Sequence, residues 1–148
     1  MTTVSPQNYF SEAQQAAIIA AIAEAEKETS GEIRLHVENK CEGHVLDRAA
    51  HLFAELEMHK TKLRNGVLFY LAIADHRFAV IGDAGINAAV PANFWDDIKI
   101  KMQGKFRSGN FIDGLTEGIL MAGNQLKERF PFSDADENEL PDRISFGV

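Results

Sequence analysis

The 148-residue sequence has a single cysteine, Cys41, and no long apolar run. One thiol cannot form an internal disulfide, and this is typical of proteins in the reducing cytoplasm, where we expect this chain to reside. The longest apolar run, residues 67–74, is far shorter than the roughly 20 residues that span a bilayer. The N-terminal sequence MTTVSPQNYF also lacks the basic and apolar segments of a secretory signal. We therefore expect neither a leader nor a membrane span.

Basic residues are also scarce. The chain has 15 Lys and Arg against 22 Asp and Glu, and its formal net charge is −7. Proteins that bind nucleic acids contact the phosphate backbone mainly through clustered Lys and Arg, so this balance argues against a nucleic-acid partner. It is compatible with a bound cation, a basic protein partner or a small substrate.

Several catalytic signatures are absent from the sequence. It contains no G-x-G-x-x-G or G-K-[ST] phosphate loop and no G-x-S-x-G nucleophile elbow. The histidines form neither an i,i+4 pair nor an H-E-x-x-H motif, which argues against a zinc site. A function must therefore be sought in residues that no short motif identifies.

The most informative segment runs from residue 64 to residue 87. Two apolar runs, residues 67–74 and 78–81, flank the polar turn Asp75-His76-Arg77. This pattern predicts two buried strands in a hairpin, which returns the chain to its starting point. The glycine-containing segments at the two outer ends, Asn65-Gly66 and Gly82-Asp83-Ala84-Gly85, are therefore expected to lie side by side.

The segments before the hairpin predict a βαβ unit. A capping box at Ser11 starts a helix, residues 32–37 alternate as a strand with one buried face, and residues 45–56 carry the apolar stripe of a second helix. A strand, a helix and a further strand predict a parallel pair with a right-handed crossover. Together with the hairpin this gives a small mixed sheet with helices on both faces.

The rest of the chain is predicted to be mainly helical. After a loop at residues 86–91 we expect helices at about residues 93–106 and 113–130. The acidic residues that follow are either a docked arm or a disordered end. The length suits one domain, which we assign to residues 10–130, with a C-terminal tail at residues 131–148. We expect a monomer.

The predicted topology gathers oxygen donors at one end of the sheet. Glu32 begins the first strand, Asn65 precedes the second and Asp83 follows the third, while Asp96 and Asp97 fall in the first turn of the next helix. Carboxylate and amide oxygens are hard ligands that suit Ca²⁺ or Mg²⁺. The alternative is that the glycines only permit turns, that Asp96 and Asp97 only favour the helix dipole, and that the acids are solvated.

A basic segment, residues 59–64, leads into the same end of the sheet. Lys62 and Arg64 are its candidates for holding an anionic group beside a metal ion. The alternative is a positively charged surface loop without a ligand.

The chain resembles the TPM domain family, which is named for a thylakoid lumen protein, a photosystem II repair protein and a worm receptor modulator. The resemblance covers about residues 10–130. The segments that carry it share their order and spacing with the family: Phe10-Ser11, Thr29-Ser30-Gly31-Glu32-Ile33, Asn65-Gly66-Val67-Leu68, Ile81-Gly82-Asp83-Ala84-Gly85-Ile86 and Gly109-Asn110-Phe111-x-x-Gly114-Leu115. Many members carry a signal peptide and a membrane anchor, whereas this chain looks like a soluble bacterial branch.

The resemblance implies a three-layer α/β/α sandwich with a divalent-cation site, with calcium as the expected ion and magnesium as the alternative. Asp83 and Asn87 stand where many members have an aromatic and an acidic residue, so Asn87 joins the candidate ligands. Three functions follow. The leading one is a cation-binding module whose ordered loops face a partner protein. The alternatives are a metal-assisted acid phosphatase, as described for the plant member, and a structural assembly factor that needs no metal.

Overall fold

The computed structural model describes residues 6–132 and 144–147. Its regular elements alternate between helix and strand in the first half and are helical in most of the second. In chain order they are α1 (Pro6–Tyr9), α2 (Glu12–Glu26), β1 (Glu32–Glu38), α3 (Val45–Glu55), a short 3-10 helix (Met58–Lys60), β2 (Gly66–Ala72), β3 (Arg77–Gly82), α4 (Ala84–Ala89), α5 (Asp96–Arg107), α6 (Phe111–Arg129) and β4 (Ser145–Phe146).

The four strands form one mixed sheet in the order β3-β2-β1-β4. β1 and β2 run parallel with Glu32 opposite Gly66, and β2 and β3 run antiparallel with Val67 opposite Gly82. The predicted parallel pair and the predicted hairpin are both confirmed. β4 pairs parallel with β1, so residues 144–147 of the tail dock on the sheet, whereas residues 133–143 lie outside the described residues.

Helices cover both faces of the sheet. On one face α2, α5 and α6 pack over apolar side chains such as Leu35 of β1 and Phe69 of β2, both without exposed surface. On the other face Ala49 and Leu52 of α3 pack with Leu68 and Tyr70 of β2. The α/β/α sandwich is confirmed. In the residues that the structure describes, no helix is long and apolar enough to cross a bilayer.

Two details differ from the sequence prediction. The expected loop at residues 86–91 is largely occupied by helix α4, because Asp83 caps a helix that begins at Ala84. The expectation that only one face of β1 is buried was wrong, since all seven of its residues are buried. β1 lies between β2 and β4, and side chains from α3 reach its polar face. A row of charged and polar residues is therefore inside the protein.

The candidate cation site and a buried polar network

Asp83 and Arg64 form an ion pair where the two ends of the hairpin meet. Asp83 caps α4 by accepting a hydrogen bond from the Ala84 amide at 2.7 Å. Its oxygens also accept two bonds from Arg64, at 2.7 Å from Nε and 2.8 Å from Nη2. The Asp83 carboxylate raises the pKa of Arg64 through these bonds and through its charge. We call the segment formed by residues 64–66 and 82–85 the hairpin edge.

Gly85 allows the two halves of the hairpin edge to approach each other closely. Its amide donates to the Arg64 carbonyl at 2.9 Å. A β-carbon at this position would lie only 2.0 Å from the Leu63 carbonyl oxygen, so the contact requires glycine. The sequence G-D-A-G thus encodes a helix cap and a backbone contact, in addition to the turn that its glycines suggest.

Asn65 lies at the start of β2 and is almost completely buried. Its side-chain amide donates to the Ser30 hydroxyl at 3.2 Å, and its backbone carbonyl accepts from the Glu32 amide at 3.3 Å. Its Oδ1 atom is buried and accepts no hydrogen bond from the described residues. Buried oxygens are nearly always satisfied by a donor, a water or an ion, so this atom is a candidate ligand.

The structure brings only some of the sequence-predicted ligands together. Asn65 and Asp83 share the hairpin edge, and Glu32 begins the neighbouring strand in a buried position. Asn87 follows Asp83 by one turn of α4 and donates to the Gly82 carbonyl at 3.1 Å. Asp96 is exposed on α5.

Asp97 is separate from this group, and the Lys62 side chain is exposed. Asp97 lines a cleft beside Phe94 and Arg129. Within residues 6–132 and 144–147, no three His, Cys, Asp or Glu side chains are close enough to hold a metal ion. Any site here would need amide or carbonyl oxygens, and ligation by the proposed set stays a prediction, as does anion binding by Lys62 and Arg64.

Sequence reasoning missed a second cluster, on the polar face of β1. The buried Glu38 carboxylate accepts hydrogen bonds from Arg48 Nε at 2.9 Å and Arg48 Nη2 at 2.8 Å, and a further bond from the Tyr70 hydroxyl. His36 Nε2 lies 3.4 Å from Glu38 Oε1, and His36 Nδ1 lies 2.9 Å from the Ser145 hydroxyl of β4. The alternation of Glu, Arg, His and Glu along β1 was the available signal, because opposite charges on one strand face can neutralise each other when buried.

Burial and charge set the ionisation states in this network. Burial lowers the pKa of His36, and the charges of Arg48 and Arg34 add to this effect, while Glu38 opposes it. Burial alone would raise the pKa of Glu38, but hydrogen bonds from Arg48 and Tyr70 outweigh it and lower the pKa. Burial and the bond to Glu38 raise the pKa of Tyr70. At neutral pH the network holds a neutral His36 beside an ionised Glu38.

The lowered pKa of His36 predicts a loss of stability in mild acid. An unfolded histidine takes up a proton near pH 6.5, whereas the folded one stays neutral, so stability should fall as the pH drops below about 6.5 toward the folded pKa. The slope would reach at most about 1.4 kcal/mol per pH unit. Urea unfolding at several pH values in this range should show this dependence of stability on pH in the wild type but not in His36→Gln. His51→Gln removes an exposed histidine and should keep it; equal slopes in both variants would contradict the assignment.

Comparison with known proteins places these features in context. The TPM domain model matches residues 3–125. No curated protein matches the chain. Among solved structures, the BA42 protein from the psychrophilic bacterium Bizionia argentinensis is 44% identical with a TM-score of 0.91, covering 99% of this chain and 100% of that one.

Two more distant structures share the fold. The N-terminal domain of a P. gingivalis protein gives a TM-score of 0.69 at 22% identity, covering 83% of this chain and 80% of that one. The N-terminal domain of a Corynebacterium glutamicum protein gives a TM-score of 0.64 at 10% identity, covering 97% of this chain and 92% of that one. At these identities the likeness concerns the fold alone.

Proposed function

The chain belongs to the TPM domain family, and from this membership we propose that it is a divalent-cation-binding module that takes Ca²⁺ at the hairpin edge. The bound ion would order the loops on either side of the edge and so present them to a partner protein. Glu32, Asn65 and Asp83 are the ligands we propose first, with Asn87 beside them.

The unsatisfied Oδ1 atom of Asn65 is the observation that carries this proposal. A neutral amide oxygen, buried next to carboxylate-bearing loops, suits a hard cation that binds through six to eight oxygens. Backbone carbonyls of the hairpin edge and water would have to complete the shell. The residues present therefore fit a calcium ion in their chemistry, although two carboxylates make a site of modest charge.

Arg64 competes with a cation for Asp83. The Asp83 side chain is only 6% exposed, whereas Arg64 is 51% exposed and could swing into solvent. A cation that binds Asp83 would have to displace the guanidinium, because the two positive charges cannot share one carboxylate without repulsion. We therefore expect Arg64 to weaken the affinity for Ca²⁺ rather than support it.

Calorimetric titration of the full chain with Ca²⁺, followed in parallel by amide NMR shifts, tests the site. We expect wild-type binding in the micromolar to millimolar range, with shifts at residues 30–32, 65 and 83–85. Asp83→Asn should weaken binding at least about tenfold, and Arg64→Gln should strengthen it several-fold, because the competing charge is removed.

Asp47→Asn is the matched control, since it removes one exposed carboxylate from α3. It should bind Ca²⁺ like the wild type. The proposal fails if millimolar Ca²⁺ produces no heat and no shifts at the hairpin edge, or if Asp47→Asn weakens binding as much as Asp83→Asn. Metal-dependent hydrolysis of p-nitrophenyl phosphate, lost in Asp83→Asn, would favour the phosphatase alternative.

A further inference from the structure

We propose a second binding site at the opposite end of the sheet, for a small aromatic anion. A cleft of about 480 Å³ lies between the turn of the β2–β3 hairpin and the connection from α5 to α6. We call it the aromatic cleft. The residues that line it include three aromatic and three basic side chains: Phe78, Phe106, Phe111, His76, Arg77 and Arg107. The site is independent of the proposed cation site, because it shares no residue with the hairpin edge.

Three phenylalanine rings form the apolar wall of the aromatic cleft. The Phe78 and Phe106 rings meet edge to face with centroids 5.0 Å apart, and Phe106 stacks on Phe111 at 5.3 Å. These rings fix one another in place, and each remains partly exposed toward the cleft. Preformed aromatic surface of this kind accepts a planar ligand through stacking and edge contacts.

Cationic side chains rim the same cleft. Arg107 ends α5, and among the described residues it has no carboxylate or other hydrogen-bond partner. Arg77 begins β3, and within the described part of the chain its guanidinium donates to the Gly43 carbonyl at 3.0 Å and has no carboxylate partner. His76 adds a ring 6.5 Å from that of Phe111, and of the residues that the structure describes no Asp or Glu lines the cleft.

This arrangement is unusual in a chain whose net charge is −7. The negative end of the α5 dipole accounts for a basic residue in its last turn. It does not account for Arg77, which comes from a different element, or for the aromatic wall of the same cleft. A guanidinium group without a carboxylate partner among the described residues is suited to a carboxylate or sulfonate, which it binds in forked geometry.

The size of the aromatic cleft favours a small molecule over a protein segment. Its volume falls within the roughly 300–1,000 Å³ range of small-molecule pockets. One or two aromatic rings would fill it while an anionic group reaches the arginines. The ligand class is therefore an aryl carboxylate or a similar aromatic anion.

Fluorescence titration of the full chain with anilinonaphthalene sulfonate tests the proposal, because this probe combines two aromatic groups with one anion. We expect saturable binding, with amide shifts at Gly109 and Phe111 and none at Asp83. Indoleacetate should displace the probe, whereas neutral indole should not. The double variant Arg77→Gln/Arg107→Gln should bind the probe at least about tenfold more weakly, which is the loss expected when charge-assisted hydrogen bonds are removed.

Arg129→Gln is the matched control, because Arg129 lies over the Phe94 ring in another cleft. It should leave probe binding unchanged. Equal affinity of the double variant and the wild type would overturn the site, as would shifts confined to other surfaces. If an acidic aromatic peptide bound tenfold more tightly than indoleacetate, the cleft would be a site for a protein partner, and the proposed ligand class would be overturned.

Discussion

Replacing Glu38 with Gln is expected to lower the free energy of unfolding by about 3 kcal/mol, the effect of breaking a buried ion pair. The Glu38 carboxylate is only 4% exposed and accepts hydrogen bonds from Arg48 and Tyr70. Glutamine keeps the shape, but it replaces one accepting oxygen with a donating amide. That amide would face donors it cannot satisfy, and Arg48 would lose its counter-charge. Urea denaturation at neutral pH measures the difference.

Glu55→Gln is the control for this substitution. Glu55 pairs with His51 at 2.9 Å on the surface of α3, and both side chains are more than half exposed. Exposed pairs contribute at most about 1 kcal/mol, so the control should change stability little. A second variant, Arg48→Met, removes the other partner and keeps the apolar stem. Both variants break the same interaction, so the double variant should lose less free energy of unfolding than the sum of the two single losses. Strict additivity would show that Glu38 and Arg48 act independently.

The central fold was predictable because its signals are local. A continuous apolar strand, a polar turn and a second apolar strand define the β2–β3 hairpin, and the alternation before α3 defines β1. The burial of His36 and Glu38 could not be inferred in the same way. It depends on β4, whose Ser145 lies 109 residues from His36 in the chain, and on the direction in which Arg48 points from α3. Periodicity shows which residues share a face but not what covers that face.

For the candidate cation site, the sequence predicts which strand ends meet but not which side chains bind each other there. Hairpin geometry brought Asn65 and Asp83 to one edge, but it could not show that Arg64 binds the Asp83 carboxylate in two places. It also could not show that Asp97 lines a separate cleft, because the direction of α5 depends on its packing against α6. The helix that Asp83 caps could have been predicted locally, since an aspartate before A-G-I-N-A-A fits a helix start.

Gly85→Ala is expected to destabilise the protein by about 2–3 kcal/mol, although alanine is the better helix former. The added β-carbon would lie 2.0 Å from the Leu63 carbonyl and 2.7 Å from the Arg64 carbonyl, and both are backbone atoms that cannot rotate away. Either α4 or the chain before β2 must shift. The shift would break the hydrogen bond from the Gly85 amide to the Arg64 carbonyl and loosen the pair between Arg64 and Asp83.

Gly104→Ala makes the same chemical change in the interior of α5, where an added β-carbon would meet nothing within 4 Å. Because there is no clash, only helix propensity changes, and the free energy of unfolding of this variant should rise by about 0.5–1 kcal/mol. The two substitutions therefore have opposite expected signs, and thermal or urea unfolding of both separates close packing from propensity. If Gly85→Ala were also stabilising, the contact between α4 and residues 63–64 would not be a fixed part of the fold, and Arg64 would not be held beside Asp83 by the backbone.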